Sequence, residues 1–329
     1  MNHSVAGSPL LALRNVSLTS RALPALRDLH WTFQPGEQWV CLGPNGSGKT
    51  SLADVIAGRA AHVAGDITRS PALIDQGIAY VCFEQAKALC ERDRKLDDSE
   101  FRADASDPGT RVRDLILQGR SPDAAFEAWT QRLGMAHILD RGIRYISTGE
   151  MRKTLLASAI LNRPGLLILD NPLDGLDRDS QAAMHGILDE LLRGDLPVLM
   201  LCRQLEDIPP AATHLLVLDN GSVAAAGERE VVMADPRVSQ LMSPPLPALG
   251  ALPAPAQRPY QLPDTGPLLA LRNVSVRYGD LQVLENVNWV LERGQHCCVS
   301  GPNGCGKTTL LSLITGDNHK AYGQDITLF

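Results

Sequence analysis

The chain has 329 residues, of which 44% are hydrophobic and 21% charged, and it carries a formal net charge of −6. This length is enough for two domains, and the composition is that of an ordinary globular protein. The acidic balance, without a basic block, argues against a nucleic-acid-binding surface as the main function.

Membrane-spanning and secreted classes are also disfavoured. No uninterrupted apolar run approaches the roughly 18 to 20 residues of a membrane span, and Met1 to Leu11 lacks the features of a secretory leader. The seven cysteines are scattered without metal-binding spacing, which predicts reduced thiols in a cytoplasmic protein. Any membrane role would then be peripheral, on the inner face of the plasma membrane and through a partner.

Taken in chain order, the hydrophobic pattern predicts strands at both ends of the first domain and helices between them. The predicted strands span 11–18, 26–33, 38–42, 78–83, 166–169, 198–201, 214–218 and 222–226. The predicted helices span 112–117, 124–133 and 151–161, and a charged surface insertion, part helix and part loop, spans 86–108. Ser147-Thr148-Gly149-Glu150 supplies capping residues for the helix that begins near Met151. This order predicts an α/β fold.

A phosphate-binding loop follows the third predicted strand. Its residues, which complete the pattern G-x-x-x-x-G-K-T, are Gly43, Pro44, Asn45, Gly46, Ser47, Gly48, Lys49 and Thr50. The backbone N–H groups of such a loop surround the α- and β-phosphates of a nucleotide, while the lysine reaches the β- and γ-phosphates. Ser51 opens a run that suits a helix, whose N-terminal dipole would face the anion.

A second element of the same chemistry is the apolar run 166–169, which ends at Asp170. An all-apolar strand of this kind is typically buried on both faces. It would deliver the Asp170 carboxylate to Mg²⁺, opposite the hydroxyl of Thr50. A strand, a phosphate loop, a helix and a distant strand ending in Asp together form the layout of a P-loop NTPase.

The beginning of the chain is repeated near its end. Ala12 to Ser17 recurs residue for residue as Ala270 to Ser275, 258 positions later, and Lys49 recurs as Lys307 at the same offset. The residues of the second loop that we expect to bind a nucleotide are Gly301, Asn303, Gly304, Gly306, Lys307, Thr308 and Thr309. A gapless match of this length predicts a duplicated domain.

The two copies are separated by the segment 243–267, which is crowded with proline and small residues. Such a segment suits neither a regular helix nor a central strand, and it predicts a semi-extended linker. We therefore expect a first domain over 1–242 and the beginning of a second domain over 268–329.

Three further motifs carry a family resemblance. Ile146 to Glu150 resembles the Leu-Ser-Gly-Gly-Gln signature of ATP-binding-cassette (ABC) ATPases, upstream of the Asp-ending strand by the expected interval. Gln85 stands where the family has its Q-loop glutamine, and Asp174 to Asp177 resembles the D-loop. The sequence around the signature is similar to that of tandem cassettes associated with molybdate transport.

The resemblance implies a P-loop NTPase of the ABC ATPase type, with a mixed-sheet core and a helical subdomain, followed by an incomplete second copy. It implies ATP and Mg²⁺ as ligands, with Thr50, Gln85 and Asp170 at the metal and Gln85 also in catalysis. The signature residues Ser147, Thr148, Gly149 and Glu150 would contact a nucleotide held by another cassette. The implied partners are a separate membrane permease subunit and a second cassette-bearing chain or second copy; no nucleic acid is expected.

Three positions depart from the family pattern. Asn171 follows Asp170 where the family has a glutamate, and an amide cannot accept a proton from the attacking water. Cys202 stands where the switch histidine is expected, and a thiol is a poor substitute for an imidazole at the γ-phosphate. Adenine would stack on Tyr278 in the second copy, where the first copy has Ser20. These positions predict that the first cassette binds ATP better than it hydrolyses it.

The second copy stops at Phe329, soon after its phosphate loop, which predicts a truncated or split gene or an incomplete sequence, with a regulatory half-cassette as the alternative. Two other functions stay open from the residues alone. One is a soluble tandem-cassette ATPase that acts on ribosomes or DNA, and the proline-rich, nearly uncharged linker counts against it. The other is a catalytically silent ATP-binding subunit, which Asn171 and Cys202 favour.

Overall fold

The computed structural model describes residues 8–20, 23–96, 109–243, 266–278 and 281–328. The chain divides into two compact units, Met1–Leu176 with Ser180–Pro245 and Asp177–Asp179 with Leu246–Phe329. Most of the predicted linker, and the end of the predicted insertion at 97–108, lie outside the described residues. Within the described ranges, every helix is too short or too polar to span a bilayer.

The first unit contains nine strands and nine α-helices among its described residues. Its strands are β1 (Leu11–Ser20), β2 (Leu23–Phe33), β3 (Trp39–Leu42), β4 (Val63–Arg69), β5 (Ile78–Val81), β6 (Leu166–Asp170), β7 (Val198–Leu201), β8 (His214–Asp219) and β9 (Ser222–Glu228). Its α-helices are α1 (Lys49–Ile56), α2 (Pro71–Gln76), α3 (Phe83–Leu96), α4 (Val112–Leu117), α5 (Ala124–Arg132), α6 (Thr148–Leu161), α7 (Arg178–Leu192), α8 (Arg229–Met233) and α9 (Pro236–Met242). Short 3₁₀ turns cover Ala136–Ile138, Ile143–Tyr145 and Leu205–Asp207.

Six strands form the central sheet of the first unit, in the order β5-β6-β7-β3-β8-β9. The strands from β5 to β8 pair in parallel, whereas β9 pairs antiparallel with β8 at the edge. Every residue of β3 and β7, and the apolar part of β6, is buried, as expected for parallel strands covered on both faces. The carboxyl ends of these three strands meet at one edge of the sheet. The phosphate loop, Asp170 and Cys202 therefore lie at the same edge.

A smaller antiparallel sheet, in the order β2-β1-β4, packs over one face of the central sheet. Its contact is aromatic: the ring centroids of Trp31 and Trp39 lie 5.1 Å apart in an edge-on arrangement, and Phe33 lies 6.2 Å from Trp39. Such pairs contribute about 0.5–1.5 kcal/mol beyond the area they bury. Leu52 and Ile56 of α1 belong to the same core, so this packing also fixes the helix that follows the phosphate loop.

The helices between β5 and β6 form a second core with the other face of the sheet. Val112 and Ile116 of α4, Phe126 of α5 and Leu156 of α6 are all buried in it. α6 is buried over nearly all of its length from Met151 to Leu161. The helix that begins at the predicted signature is therefore a buried helix of the unit's core.

The second unit repeats the antiparallel sheet. Its elements are β10 (Leu269–Tyr278), β11 (Leu281–Leu291), α10 (Lys307–Thr315), a 3₁₀ turn at His319–Ala321 and β12 (Asp325–Leu328), with the strand order β11-β10-β12. The pair Leu271↔Trp289 corresponds to Leu13↔Trp31 at the offset of 258. The strands described between 266 and 328 are all antiparallel, so this part of the chain contains no parallel sheet.

Several predicted elements have different limits in the structure. The strand predicted over 78–83 ends at Val81, and α3 begins at Phe83, within the residues assigned to that strand. The helix predicted from Met151 begins at Thr148, inside the predicted signature. Five elements of the first unit were not predicted: β4, α2, α7, α8 and α9.

Candidate nucleotide-binding site

The phosphate loop leaves the carboxyl end of β3 and enters α1 at Lys49. Gly43 and Gly48 have φ angles of 152° and 102°, which residues with a Cβ rarely adopt. A Cβ on Gly43 would lie 2.4 Å from the carbonyl oxygen of Leu218, and one on Gly48 would lie 2.9 Å from that of Ala25. The neighbouring backbone thus approaches the loop too closely for any larger residue at either position.

Lys49 lies under this loop and is only 7% exposed. Its ammonium donates to the carbonyl oxygens of Gly43, at 2.6 Å, and of Pro44, at 3.0 Å. Burial lowers the pKa of Lys49 because a low dielectric disfavours its charge, and the nearby Asp170 carboxylate acts in the opposite direction. The glycine-rich loop therefore surrounds a buried ammonium group, and a cation in this position can bind a phosphate.

Three side chains converge on the Asp170 carboxylate at the end of β6. The hydroxyl of Thr50 donates to Oδ2 at 3.1 Å, and the hydroxyl of Tyr80 donates to the same oxygen at 2.8 Å. Asn171 Nδ2 donates to Oδ1 at 2.6 Å. Burial and the hydrogen bond to Asp170 raise the pKa of Tyr80, so this phenol stays protonated. Thr50 and Asp170 fit Mg²⁺, a hard cation that takes oxygen ligands and is held by this pair of residue types in P-loop sites.

A cavity of about 430 Å³ opens in front of these groups. Its lining residues are Ala25, Asn45, Gly46, Ser47, Gly48, Lys49, Thr50, Ser51, Asn171 and Arg203. The structure thus brings most of the predicted phosphate loop together with Asn171, and Asp170 bonds to Thr50 at its margin. Among the described residues, none of the signature positions 147–150 lines this cavity.

The residues after β7 include the predicted switch position. Cys202, which stands at that position in the sequence, is 2% exposed, and burial raises the pKa of its thiol well above the ordinary value. The next residue, Arg203, lines the cavity beside Lys49 and forms an ion pair with Asp174. The sequence prediction missed Arg203. The sequence contains only a partial signal, because Arg203 is the first charged residue after the apolar run 198–201, and the edge of the sheet at which that run ends is known only from the fold.

The predicted signature forms the N-terminus of α6. The Glu150 N–H donates to Ser147 Oγ at 3.2 Å, and the Ser147 N–H donates to Glu150 Oε2 at 2.7 Å, which is a capping box. Gly149 lies in the first turn, where a Cβ would make ordinary contacts with Leu176 and Ser180. The helix end offers free N–H groups and a positive dipole, so an anion could approach it.

The second loop reproduces the geometry of the first. Gly301, Gly304 and Gly306 have φ angles of 155°, 82° and 93°. Lys307 Nζ donates to the carbonyl oxygens of Gly301 and Pro302, both at 2.7 Å. Asn303, Thr308 and Thr309 lie in the loop and in the first turn of α10.

The predicted adenine-stacking and Q-loop residues lie elsewhere in the two units. Tyr278 ends β10 and is 42% exposed, and its hydroxyl accepts from Asn318 Nδ2 at 2.7 Å. Gln85 is in the first turn of α3, and its side chain, like that of Ser20, lies outside the described residues. The roles predicted for Tyr278 and Gln85 therefore stay predictions.

Comparison with known proteins agrees with this geometry. The ABC transporter family profile matches residues 26–174 and 284–327, more than half of the chain. The chain is 33% identical over 301 residues to the ABC transporter ATP-binding protein ModF of Escherichia coli, covering 91% of this chain and 61% of ModF. It is 31% identical over 237 residues to the zinc import ATP-binding protein ZnuC of Halorhodospira halophila, covering 72% of this chain and 84% of that protein.

Solved structures give the same fold. The ADP conformation of MJ1267, an ATP-binding cassette of an ABC transporter, aligns with a TM-score of 0.55 at 20% identity, covering 71% of this chain and 98% of MJ1267. A nucleotide-free ATP-binding cassette from an ABC transporter aligns with a TM-score of 0.56 at 21% identity over the same shares. The predicted α/β fold of the ABC ATPase type is therefore confirmed. The chain spans less than two thirds of the length of ModF, and it belongs to the ABC transporter family of ATP-binding cassettes.

Proposed function

We propose that the first unit binds Mg-ATP and hydrolyses it slowly, and that the chain energises a transporter whose membrane permease is a separate polypeptide. The observation that supports this most directly is the meeting of Thr50 and Asp170, at 3.1 Å, beside the cavity of about 430 Å³ that Lys49 lines. A hydroxyl, a carboxylate and a buried ammonium are the groups that P-loop NTPases use around a magnesium-bound triphosphate.

Nucleotide binding would use polar groups that are already in place. The N–H groups of the loop and the N-terminus of α1 face an anion in the cradle. Lys49 would exchange its bonds with Gly43 and Pro44 for oxygens of the β- and γ-phosphates. Mg²⁺, when bound, neutralises phosphate charge, and Thr50 and Asp170 would hold it. Gln85 is a further ligand in this proposal, by resemblance.

Hydrolysis requires a group that positions or deprotonates the attacking water. Asn171 supplies an amide at that position, and its nitrogen is bonded to Asp170. An amide can orient water but cannot take its proton. General-base catalysis contributes about 10²–10⁴-fold, so we expect turnover to be lower than that of a cassette with a carboxylate here by up to that factor.

We infer that a second cassette completes the nucleotide site. The signature residues Ser147, Thr148, Gly149 and Glu150 would meet the nucleotide bound by that cassette, since they form a helix N-terminus outside the cavity of their own unit. The residues Gly301 to Thr309 would bind the phosphates of a second nucleotide, and Tyr278 would stack on its adenine. The partner is a second copy of the chain or another cassette-bearing polypeptide.

A permease contact is proposed at an apolar groove of about 580 Å³. The groove is lined by β5, α3, α4 and α6, including Tyr80, Leu89, Leu115 and Leu155, and it adjoins the helical segment 112–139. The extent of the likeness to ModF favours the molybdate-type system that the sequence resembles, whereas ZnuC is named for zinc import. Uptake of molybdate and of zinc by cells with and without the gene distinguishes these two solutes.

Calorimetric titration of the full chain with Mg-ATP tests the binding site. Lys49→Ala should weaken binding by about 10- to 100-fold, because it removes charge-assisted hydrogen bonds to phosphate. Lys87→Ala is the matched control, since Lys87 is 82% exposed and pairs only loosely with Glu91 at 4.0 Å. Unchanged affinity in Lys49→Ala would reject the first loop as the site, and Lys307→Ala would then test the second.

A catalytically silent ATP-binding subunit is the second candidate, and Asn171 favours it. The two functions differ in phosphate release rather than in binding. Steady release that Lys49→Ala abolishes would support the ATPase. Stoichiometric binding without release would support the silent subunit.

A further inference from the structure

Arg203 stands out because it is a second cation at the phosphate cavity. It lines the cavity with Lys49, Thr50 and Asn171. Burial lowers the pKa of Lys49, and the nearby positive charge of Arg203 acts in the same direction. A P-loop lysine serves the β- and γ-phosphates, so a cation beside it faces the distal end of a triphosphate.

In the structure, the Arg203 guanidinium is held by Asp174. Arg203 Nη2 pairs with Asp174 Oδ2, with the two side chains 43% and 50% exposed. Asp174 lies in the turn that follows β6, where its N–H donates to the Asn171 carbonyl at 3.2 Å. Arg203 also lines a smaller cavity, of about 150 Å³, together with Asp174. The guanidinium thus stands between a carboxylate on one side and the phosphate cavity on the other.

The chemistry of this pair favours an exchange. A half-exposed ion pair is screened by solvent and contributes little stability. A terminal phosphate carries more negative charge than a carboxylate, and a guanidinium can donate two parallel hydrogen bonds to it. A triphosphate in the cavity would therefore compete well with Asp174 for Arg203, whereas a diphosphate would place less charge near it.

We propose that Arg203 is a phosphate-binding residue that exchanges Asp174 for the terminal phosphate of ATP, so that ATP, and not ADP, releases the Asp174 carboxylate. This proposal rests on the proposed nucleotide site. It assigns the discrimination between ATP and ADP to Arg203. It also means that ATP binding in the cavity changes the contacts of the turn that contains Asp174.

The test compares Mg-ADP with a non-hydrolysable ATP analogue, each titrated into the full chain. Arg203→Gln should weaken the ATP analogue by about 10- to 100-fold, as loss of a charge-assisted contact does. Its affinity for ADP should stay within about twofold, which also shows that the variant is folded. Arg193→Gln is the matched control, because Arg193 is likewise an exposed arginine paired with an aspartate, Asp189, and it should change neither affinity.

The exchange itself is tested by Asp174→Asn. Freeing Arg203 from its counter-ion should tighten the ATP analogue several-fold, and the double variant with Arg203→Gln should match Arg203→Gln alone. Equal weakening of both nucleotides in Arg203→Gln, or tightening by Asp174→Asn that persists without Arg203, would overturn the proposal. Absence of any nucleotide binding by the unmodified chain would reject the proposed function instead.

Discussion

Asn171 sets the expected rate of the chemistry and has an uncommon backbone conformation, with a φ angle of 48°. We predict that Asn171→Glu raises kcat for ATP hydrolysis by about 10²–10³-fold, because a carboxylate can accept the proton of the attacking water. The measurement is phosphate release at saturating Mg-ATP. Asn171→Gln is the control: it carries the same left-handed strain, about 1–2 kcal/mol, without a base. A rate increase in both variants would contradict the general-base explanation.

Arg152 is a buried cation that ties α6 to the turn after β6. Its Nη1 donates to the carbonyl oxygens of Asn171, at 3.1 Å, and Pro172, and its Nη2 donates to that of Asp174. Burial lowers the pKa of this guanidinium to about 10. We predict that Arg152→Leu lowers the free energy of unfolding by about 2–5 kcal/mol, because three carbonyls lose a charged donor.

Denaturant unfolding of Arg152→Leu is compared with that of Arg132→Leu. Arg132 is 52% exposed and pairs with Glu190 at the surface, so its substitution should cost less than about 1 kcal/mol. Equal losses in the two variants would show that the buried bonds of Arg152 contribute nothing specific.

At the scale of single residues, the sequence predicted those whose roles are set by a local pattern. Lys49 and Thr50 belong to a contiguous motif, and Asp170 follows an apolar strand, so neighbours along the chain were enough to find them. Arg203 was missed because its role depends on the parallel alignment of β7 with β3 and β6, and on a partner 29 positions away. Such placement is a property of the folded sheet.

The capping box of α6 makes that element sensitive to acid. Partial burial opposes ionisation of Glu150, but hydrogen bonds from Ser147 and the nearby His137 outweigh it, so the pKa of Glu150 is lowered. A lowered pKa in the folded state stabilises the fold above the ordinary carboxyl pKa, and this stabilisation is lost as the pH falls through the lowered value.

We therefore predict that acid destabilises the unmodified chain more than Glu150→Gln, in which an amide keeps the hydrogen bond to Ser147 without titrating. The difference should be below about 1 kcal/mol, because Glu150 is largely screened by solvent. Unfolding free energies measured from neutral pH to about pH 3 provide the check. Glu127→Gln, in the first turn of α5, is the control. Identical pH profiles for the unmodified chain and Glu150→Gln would contradict the prediction.

Elements with strong burial patterns were predicted best. β7 was predicted with its observed limits and β6 to within one residue, because parallel central strands are apolar throughout. β4 was missed because its residues are mostly exposed or half-buried and its strand form depends on pairing with β1. α7 was missed although Met184, Leu188 and Leu191 form a buried stripe, a signal that helical periodicity contains.

Across the whole chain, the sequence repeat recurs in backbone geometry. The register of β10 with β11 matches that of β1 with β2 at the offset of 258, and both phosphate loops have the same series of positive φ angles. The order of the parallel sheet could not be predicted in this way. β3 pairs in parallel with β7, and the side chain of Gln38, just before β3, accepts from the Val198 N–H 160 positions away. The local sequence pattern carries no information on such pairings.

The seven cysteines are distributed over both units, and their exposure predicts which thiols a reagent will label. Cys297, Cys298 and Cys305 are exposed, Cys82 and Cys90 are half-buried, and Cys41 and Cys202 are buried. Because the thiolate is the reactive form and burial raises the pKa of Cys41 to about 12 and that of Cys202 well above its ordinary value, these two should resist labelling. We predict that a disulfide reagent labels three thiols rapidly in the native chain and reaches Cys41 and Cys202 only after unfolding in guanidinium.

Mass spectrometry of the labelled peptides assigns each site, and Cys202→Ala should leave the rapid phase unchanged. Rapid native labelling of Cys202 would show that its thiol, rather than the Arg203 guanidinium, is the side chain that the residues after β7 present to the cavity. Resistance of Cys202 to labelling, together with selective weakening of the ATP analogue in Arg203→Gln, would instead show that the nucleotide contact after β7 is made by Arg203, one residue beyond Cys202.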